Sequence, residues 1–183
     1  MCGRTNTQRA KKSDAQTECF GRSQGGMSTK IHACVESLGN AVRLLATPGQ
    51  AGDSPQALPL LEGLDVGQVV ADTAYDSDQT RAYCAQRGIE AVIPSHPNRT
   101  HPLPLDENAY RDRNKIERFF GRMKQYRRLA TRYEKTIVSF LAFWHIGAAL
   151  DWLRGITHFL MSSRPSGVFQ TGITDSCEII TDF

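Results

Sequence analysis

Polar and apolar positions alternate in the first part of the chain, and the pattern turns helical further on. Ser28–Glu36 alternates through Ile31, Ala33 and Val35 and predicts a strand. Leu38-Gly39-Asn40 supplies turn chemistry, and Ala41–Thr47 reads as the returning strand of a hairpin. After the loop Pro48–Gly52, Asp53 or Ser54 can cap a helix that has Pro55 at its first position and runs to about Leu61. Gln68–Ala71 predicts a short buried strand. Asp76-x-x-Gln79 reads as a capping box for a helix to about Arg87, ended by Gly88. Ile89–Ile93 is the next predicted strand, and the proline-rich stretch Ser95–Pro104 is a loop.

Two helices close the pattern. Glu107–Tyr126 carries Ile116, Phe119, Phe120 and Met123 at i, i+3, i+4 and i+7, an apolar stripe that can bury against a sheet. Thr136 to about Arg154 is apolar nearly all round. Its core, Ile137–Leu153, is short for a membrane span and holds Ser139, His145 and Asp151, so it reads as a buried helix. Met1–Gln24 is polar, basic and aperiodic, and Pro165–Phe183 shows little periodicity.

The polar positions of the Glu107–Tyr126 helix sharpen this picture. Tyr110, Arg113, Glu117 and Lys124 fall within about 60° of one another at about 100° per residue. Arg111, Lys115, Arg118 and Arg122 form a separate, wholly basic face. The net charge of the 183 residues is only +3, yet Tyr110–Lys135 holds ten Lys/Arg against three acids, a local +7. Residues 1–30 hold six Lys/Arg against two acids, a local +4. Basic segments on a near-neutral domain fit a surface that tracks phosphates. The five cysteines are scattered and include no CxxC pair, which argues against zinc and against a disulfide framework. Residues 1–25 have no apolar signal region, which predicts a cytoplasmic protein with no membrane partner.

The pattern Tyr110-x2-Arg113-x3-Glu117-x6-Lys124 resembles the YREK signature of bacterial insertion-sequence transposases of the DDE class. Val69-Val-Ala-Asp-Thr-Ala-Tyr-Asp-Ser-Asp78 is similar to the family's strand-end aspartate segment. Gly25–His32, Thr47–Ser54 and Arg127–Tyr133 extend the likeness, which runs from about Gly21 to Arg154. The resemblance implies an α/β fold, a ribonuclease-H-like mixed sheet flanked by helices. It also implies that the first, central strand, which carries the first catalytic aspartate, is missing. Nothing before Gly21 reads as that strand: its acids, Asp14 and Glu18, have no β-branched or aromatic neighbours. The expected organisation is a basic disordered arm over 1–24, a partial catalytic domain over 25–154, and a tail over 155–183.

The chemistry the resemblance implies is DNA cleavage and strand transfer at insertion-sequence ends, supported by Mg²⁺ or Mn²⁺. Hard divalent cations favour oxygen ligands, and a few carboxylates from different elements suffice. Asp72 and Glu117 are the implied catalytic and metal-binding residues. Tyr110, Arg113, Lys124, Arg118 and Arg122 are the implied DNA-binding residues. Arg113 could instead orient Glu117, and Tyr110 could be a packing residue. Asp76 and Asp78 read as helix-start residues, and His32 as a structural histidine. DNA is the implied partner, with an upstream transposase half or a second copy of the chain alongside. With the first aspartate absent, the chain alone is expected to be inactive. The competing reading is a non-catalytic DNA-binding remnant that uses the basic helix.

Overall fold

The computed structural model describes residues 19–23, 26–162 and 176–182. The predicted hairpin is present as β2 (Gly26–Glu36) and β3 (Ala41–Pro48), paired antiparallel. Its turn is closed by Glu36, whose carboxylate accepts from Leu38 N–H at 2.8 Å and from the Asn40 amide at 2.7 Å. Gly39 supplies the left-handed backbone of the turn at φ +84°. Arg22 pairs with Met27 in a further short strand, β1 (Gly21–Ser23), so the end of the expected disordered arm is instead ordered against β2. Residues 1–18 and 24 of that arm lie outside the described residues.

β4 (Gln68–Ala71) and β5 (Glu90–Val92) run parallel to each other. The largest departure from expectation is β6 (Ser176–Asp182). It lies between β2 and β4, antiparallel to the first and parallel to the second, with Cys34 opposite Ile179 and Ala71 beside Ile179. The main sheet therefore runs β3-β2-β6-β4-β5. The central position expected to be missing is filled by residues expected to be a tail. The physical reason is pairing: a strand here satisfies the facing N–H and C=O groups of β2 and β4, each costing about 1–3 kcal/mol if buried unpaired. Insertion of β6 also joins Cys34 to Cys177 in a disulfide, with Cα atoms 6.4 Å apart, contrary to the expectation from cysteine spacing.

The side chains of β2 separate two cores. Ile31, Ala33 and Val35 face one side with Ile116, Phe119, Phe120, Met123, Phe140 and Trp144. Cys34 faces the other with Leu60, Leu61, Val69, Ala71, Tyr75, Cys177 and Ile179. This is the period-two alternation of a strand buried on both faces. The second core is roofed by α1 (Ala57–Leu61), after a 3-10 turn at Ser54–Gln56, and by α2 (Asp78–Gln86). Ser77, not Asp76, caps α2, its hydroxyl accepting from Thr80 N–H at 3.1 Å.

The predicted Glu107–Tyr126 helix is built in pieces: α3 (Glu107–Tyr110), a 3-10 turn at Arg111–Arg113, and α4 (Asn114–Lys124). Asp106 starts it by accepting from Asn108 and Ala109 N–H. All four stripe residues are at most 2% exposed, and each such burial contributes about 1.5–3 kcal/mol. A short α5 (Arg127–Ala130) leads to the long α6 (Ile137–Ser162). Gly147 lets α6 approach closely, since a β-carbon there would stand 2.8 Å from Leu129 Cδ1. Among the described residues no helix is long and apolar enough to cross a membrane.

Candidate metal and nucleic-acid site

β4 ends at Ala71, and the chain turns at once into a 3-10 turn over Thr73–Tyr75. Asp72 caps that turn, its Oδ1 accepting from Thr73 N–H at 2.7 Å. Val69 and Ala71 point into the second core, so alternation turns Asp72 to the opposite face, the one that carries α4. There its Oδ2 lies 3.5 Å from Arg113 Nη1. The same guanidinium donates through Nη2 to Oε1 of Glu117, one helical turn along. A strand-end carboxylate and a helix-borne carboxylate thus converge on one arginine. Their side chains are 41% and 51% exposed, so both remain open to solvent.

Tyr110 completes the cluster. The Arg113 guanidinium rests 5.6 Å from the centre of its ring. Burial pushes the Tyr110 phenol above its ordinary value, Arg113 opposes this, and the charges of Asp72 and Glu117 reinforce it. The phenol therefore stays protonated at neutral pH and keeps a proton to donate. Lys124 is exposed in the last turn of α4, two turns beyond Glu117, and Arg118 is exposed on the same helix.

Arg122 is engaged within the fold while its side chain stays 41% exposed. It donates to both carboxylate oxygens of Asp151, with Nε–Oδ1 at 2.8 Å and Nη2–Oδ2 at 2.7 Å, and to the Gly39 carbonyl at 3.0 Å. Asp151 is 7% exposed, so the pair pins α4 to α6 and to the hairpin turn. The reason is chain geometry: α6 lays a carboxylate beside the face that looked wholly basic. Lys115 likewise pairs with Asp112 at 2.9 Å.

Two further polar clusters are structural. His32 is fully buried, with Nδ1 3.0 Å from the Tyr75 hydroxyl and Nε2 2.8 Å from the Thr47 hydroxyl. Burial lowers its pKa to about 4, partly offset by Asp53, so it is neutral and both nitrogens serve the fold. Asp76, whose side chain is 0% exposed, accepts from Arg81 Nε at 2.7 Å, Arg99 Nε at 3.0 Å and His96 N–H at 2.7 Å. Burial works against its charge, and those three donors outweigh it, holding the carboxyl below its ordinary value. The capping-box reading missed this cluster because Arg99 and His96 come from the loop beyond β5.

The family described as Transposase DDE domain matches residues 69–154, a span that contains Asp72, Arg113 and Glu117. The "putative transposase for insertion sequence element IS6501" of Brucella ovis is 45% identical over 130 residues, which is 70% of this chain and all of that relative. No solved structure matches the chain. By that identity and coverage, the chain belongs to the DDE-domain transposases of insertion sequences.

Proposed function

We propose that the chain is a metal-dependent DNA strand-cleaving and strand-transferring domain, built on a ribonuclease-H-like sheet, with Asp72 and Glu117 as its metal-binding carboxylates. The observation that carries this reading is the convergence of the two on one guanidinium from separate elements. Their donor chemistry suits Mg²⁺ or Mn²⁺, which take carboxylate oxygens and complete their shells with water and substrate phosphate. Among the described residues no group of three or more His, Cys, Asp or Glu could hold a metal. A bound divalent ion would supply Lewis-acid activation of the nucleophile and stabilise the leaving oxygen.

The remaining roles belong to the protein's own side chains. Lys124 and Arg118 offer exposed charge to DNA phosphates along α4. Before a metal binds, Arg113 bridges the two carboxylates. Tyr110 presents a protonated phenol beside them, able to donate to a phosphate or stack on a base at a DNA end. β6 supports the reading from below, because it completes the sheet from which Asp72 projects.

The test is nicking of a supercoiled plasmid that carries the insertion-sequence ends, with Mg²⁺ or Mn²⁺ added. With the first aspartate absent, the chain alone is expected not to nick. Nicking that appears when an upstream transposase half is supplied, and that disappears in Asp72→Asn and in Glu117→Gln with DNA binding retained, is the expected result. Nicking that survives both substitutions would overturn the assignment of these residues. Salt-sensitive binding with no nicking under any metal, even with the upstream half supplied, would favour the non-catalytic DNA-binding alternative.

A further inference from the structure

We infer that Arg113 is a built-in counter-cation of the Asp72–Glu117 pair, and that a divalent ion must displace its guanidinium to reach the two carboxylates. The inference rests on the metal-binding reading of that pair and adds a competitor to it.

Three observations carry it. First, Arg113 meets the two carboxylates through different nitrogens, Nη1 toward Asp72 and Nη2 toward Glu117. Its planar fork therefore fills the space that a shared cation would take, and it neutralises the repulsion of two neighbouring carboxylates. A guanidinium does not lose its proton in proteins, so it cannot yield the site by titration and must move. Second, the arrangement permits movement. Both carboxylate partners of Arg113 are open to solvent, Asp72 at 41% and Glu117 at 51%, in contrast to Asp151 at 7% under Arg122 and Asp76 at 0% under Arg81. Third, a second seat is adjacent. The Tyr110 ring lies 5.6 Å from the guanidinium carbon and can keep the group close, through a cation–π contact, once it leaves the carboxylates.

The consequence is competition between two cations for the same oxygens. Divalent-ion affinity is lower than the carboxylates alone would give, and removing the guanidinium raises it. Exposed ion pairs of this kind are each worth a few tenths of a kcal/mol to one kcal/mol, so losing two predicts tighter Mn²⁺ binding by on the order of threefold to thirtyfold.

The experiment measures Mn²⁺ binding to the full chain, by the loss of the free-ion paramagnetic resonance signal, for the wild type, Arg113→Gln, Arg113→Lys, Asp72→Asn and Glu117→Gln. Near-UV dichroism checks that each variant is folded. Tighter binding in R113Q, with R113K between it and the wild type, supports the inference, because lysine keeps the charge and loses the fork. Binding in R113Q that is unchanged or weaker overturns the inference while leaving the metal-binding reading intact, provided D72N and E117Q still reduce binding. If R113Q fails to fold, R113K decides alone, and affinity equal to or below wild type overturns the inference. Binding that no carboxylate substitution alters in any variant overturns both.

Discussion

Two clusters of carboxylate and arginine stand four residues apart in the chain, and they are built to opposite ends. Asp76 is 0% exposed in its side chain, and Arg81, Arg99 and the His96 N–H use both of its oxygens. Asp72 is 41% exposed, gives one oxygen to the start of a turn, and meets Arg113 at 3.5 Å. The first is a closed knot that ties the turn after β4 to α2 and to the loop beyond β5. The second is an open pair bridged, among the described residues, by the Arg113 guanidinium. A carboxylate beside an arginine therefore says little by itself. Exposure and the number of donors already on its oxygens separate the structural aspartate from the one available for chemistry.

The sharpest way to break this comparison is to remove each carboxylate in turn. Asp76→Ala leaves the His96 N–H without its acceptor, Arg81 with only the Ile93 carbonyl and Arg99 with only the exposed Asp78, and should cost about 3–5 kcal/mol in denaturant unfolding. Loss of DNA nicking in that variant should follow its loss of fold. If Asp76→Ala unfolds like the wild type, the knot is not structural.

The next effect is a pH dependence from the same face of the sheet. His32 titrates at about 4 in the fold, against about 6.5 when exposed. Its folded value is the lower one, so the unfolded chain binds the proton first as pH falls. The stabilisation is complete above about 6.5 and is lost between there and about 4, on the order of 3 kcal/mol. Asp76 also has a depressed folded value, so its contribution is lost only as pH falls through and below the ordinary carboxyl range. Unfolding free energies between pH 7 and 4 should fall for the wild type and flatten in His32→Asn. A wild-type curve that stays level would remove the role given to burial of this ring.

Arg122 and Arg118 extend the contrast to α4. Arg122→Ala strands the buried Asp151 and should cost about 1.5–3 kcal/mol of stability. Arg118→Ala should leave stability within about 0.5 kcal/mol and reduce the slope of DNA affinity against salt by about one. Equal stability losses in the two variants would contradict the different parts given to Arg122 and Arg118.

The smallest expected effect lies at the open pair. Asp72→Asn and Glu117→Gln should each change unfolding by no more than about 1 kcal/mol, because exposed ion pairs contribute little. A loss as large as that of Asp76→Ala would mean that Asp72 too is part of the scaffold.

How much of this was legible in the sequence depends on sequence separation. The stripe Ile116, Phe119, Phe120, Met123 declares its face through local period, and β4 declares itself as an apolar run ending at an aspartate. The four signature positions follow from the helix as well. The partners that give those positions meaning come from far away. Asp151 stands 29 residues from Arg122, and nothing local to α4 reveals it. β6 was invisible for the same reason. Its alternation rests on Cys177 and Ile179 alone, and it is recognisable as a strand only beside β2, where Cys177 meets a cysteine 143 residues earlier. Asp76 was placed near a helix start, but its role depended on a loop whose path the sequence did not disclose.

The central claim is that Asp72 and Glu117 share one divalent ion while Asp76 does not. Fe²⁺ substituted for Mg²⁺, with ascorbate and peroxide, cuts a polypeptide backbone beside the bound metal. The account predicts two cuts, one close to residue 72 and one close to residue 117, both lost in Asp72→Asn and in excess Mg²⁺. Cuts confined to the His96–His101 loop, or cuts indifferent to Asp72, would contradict it.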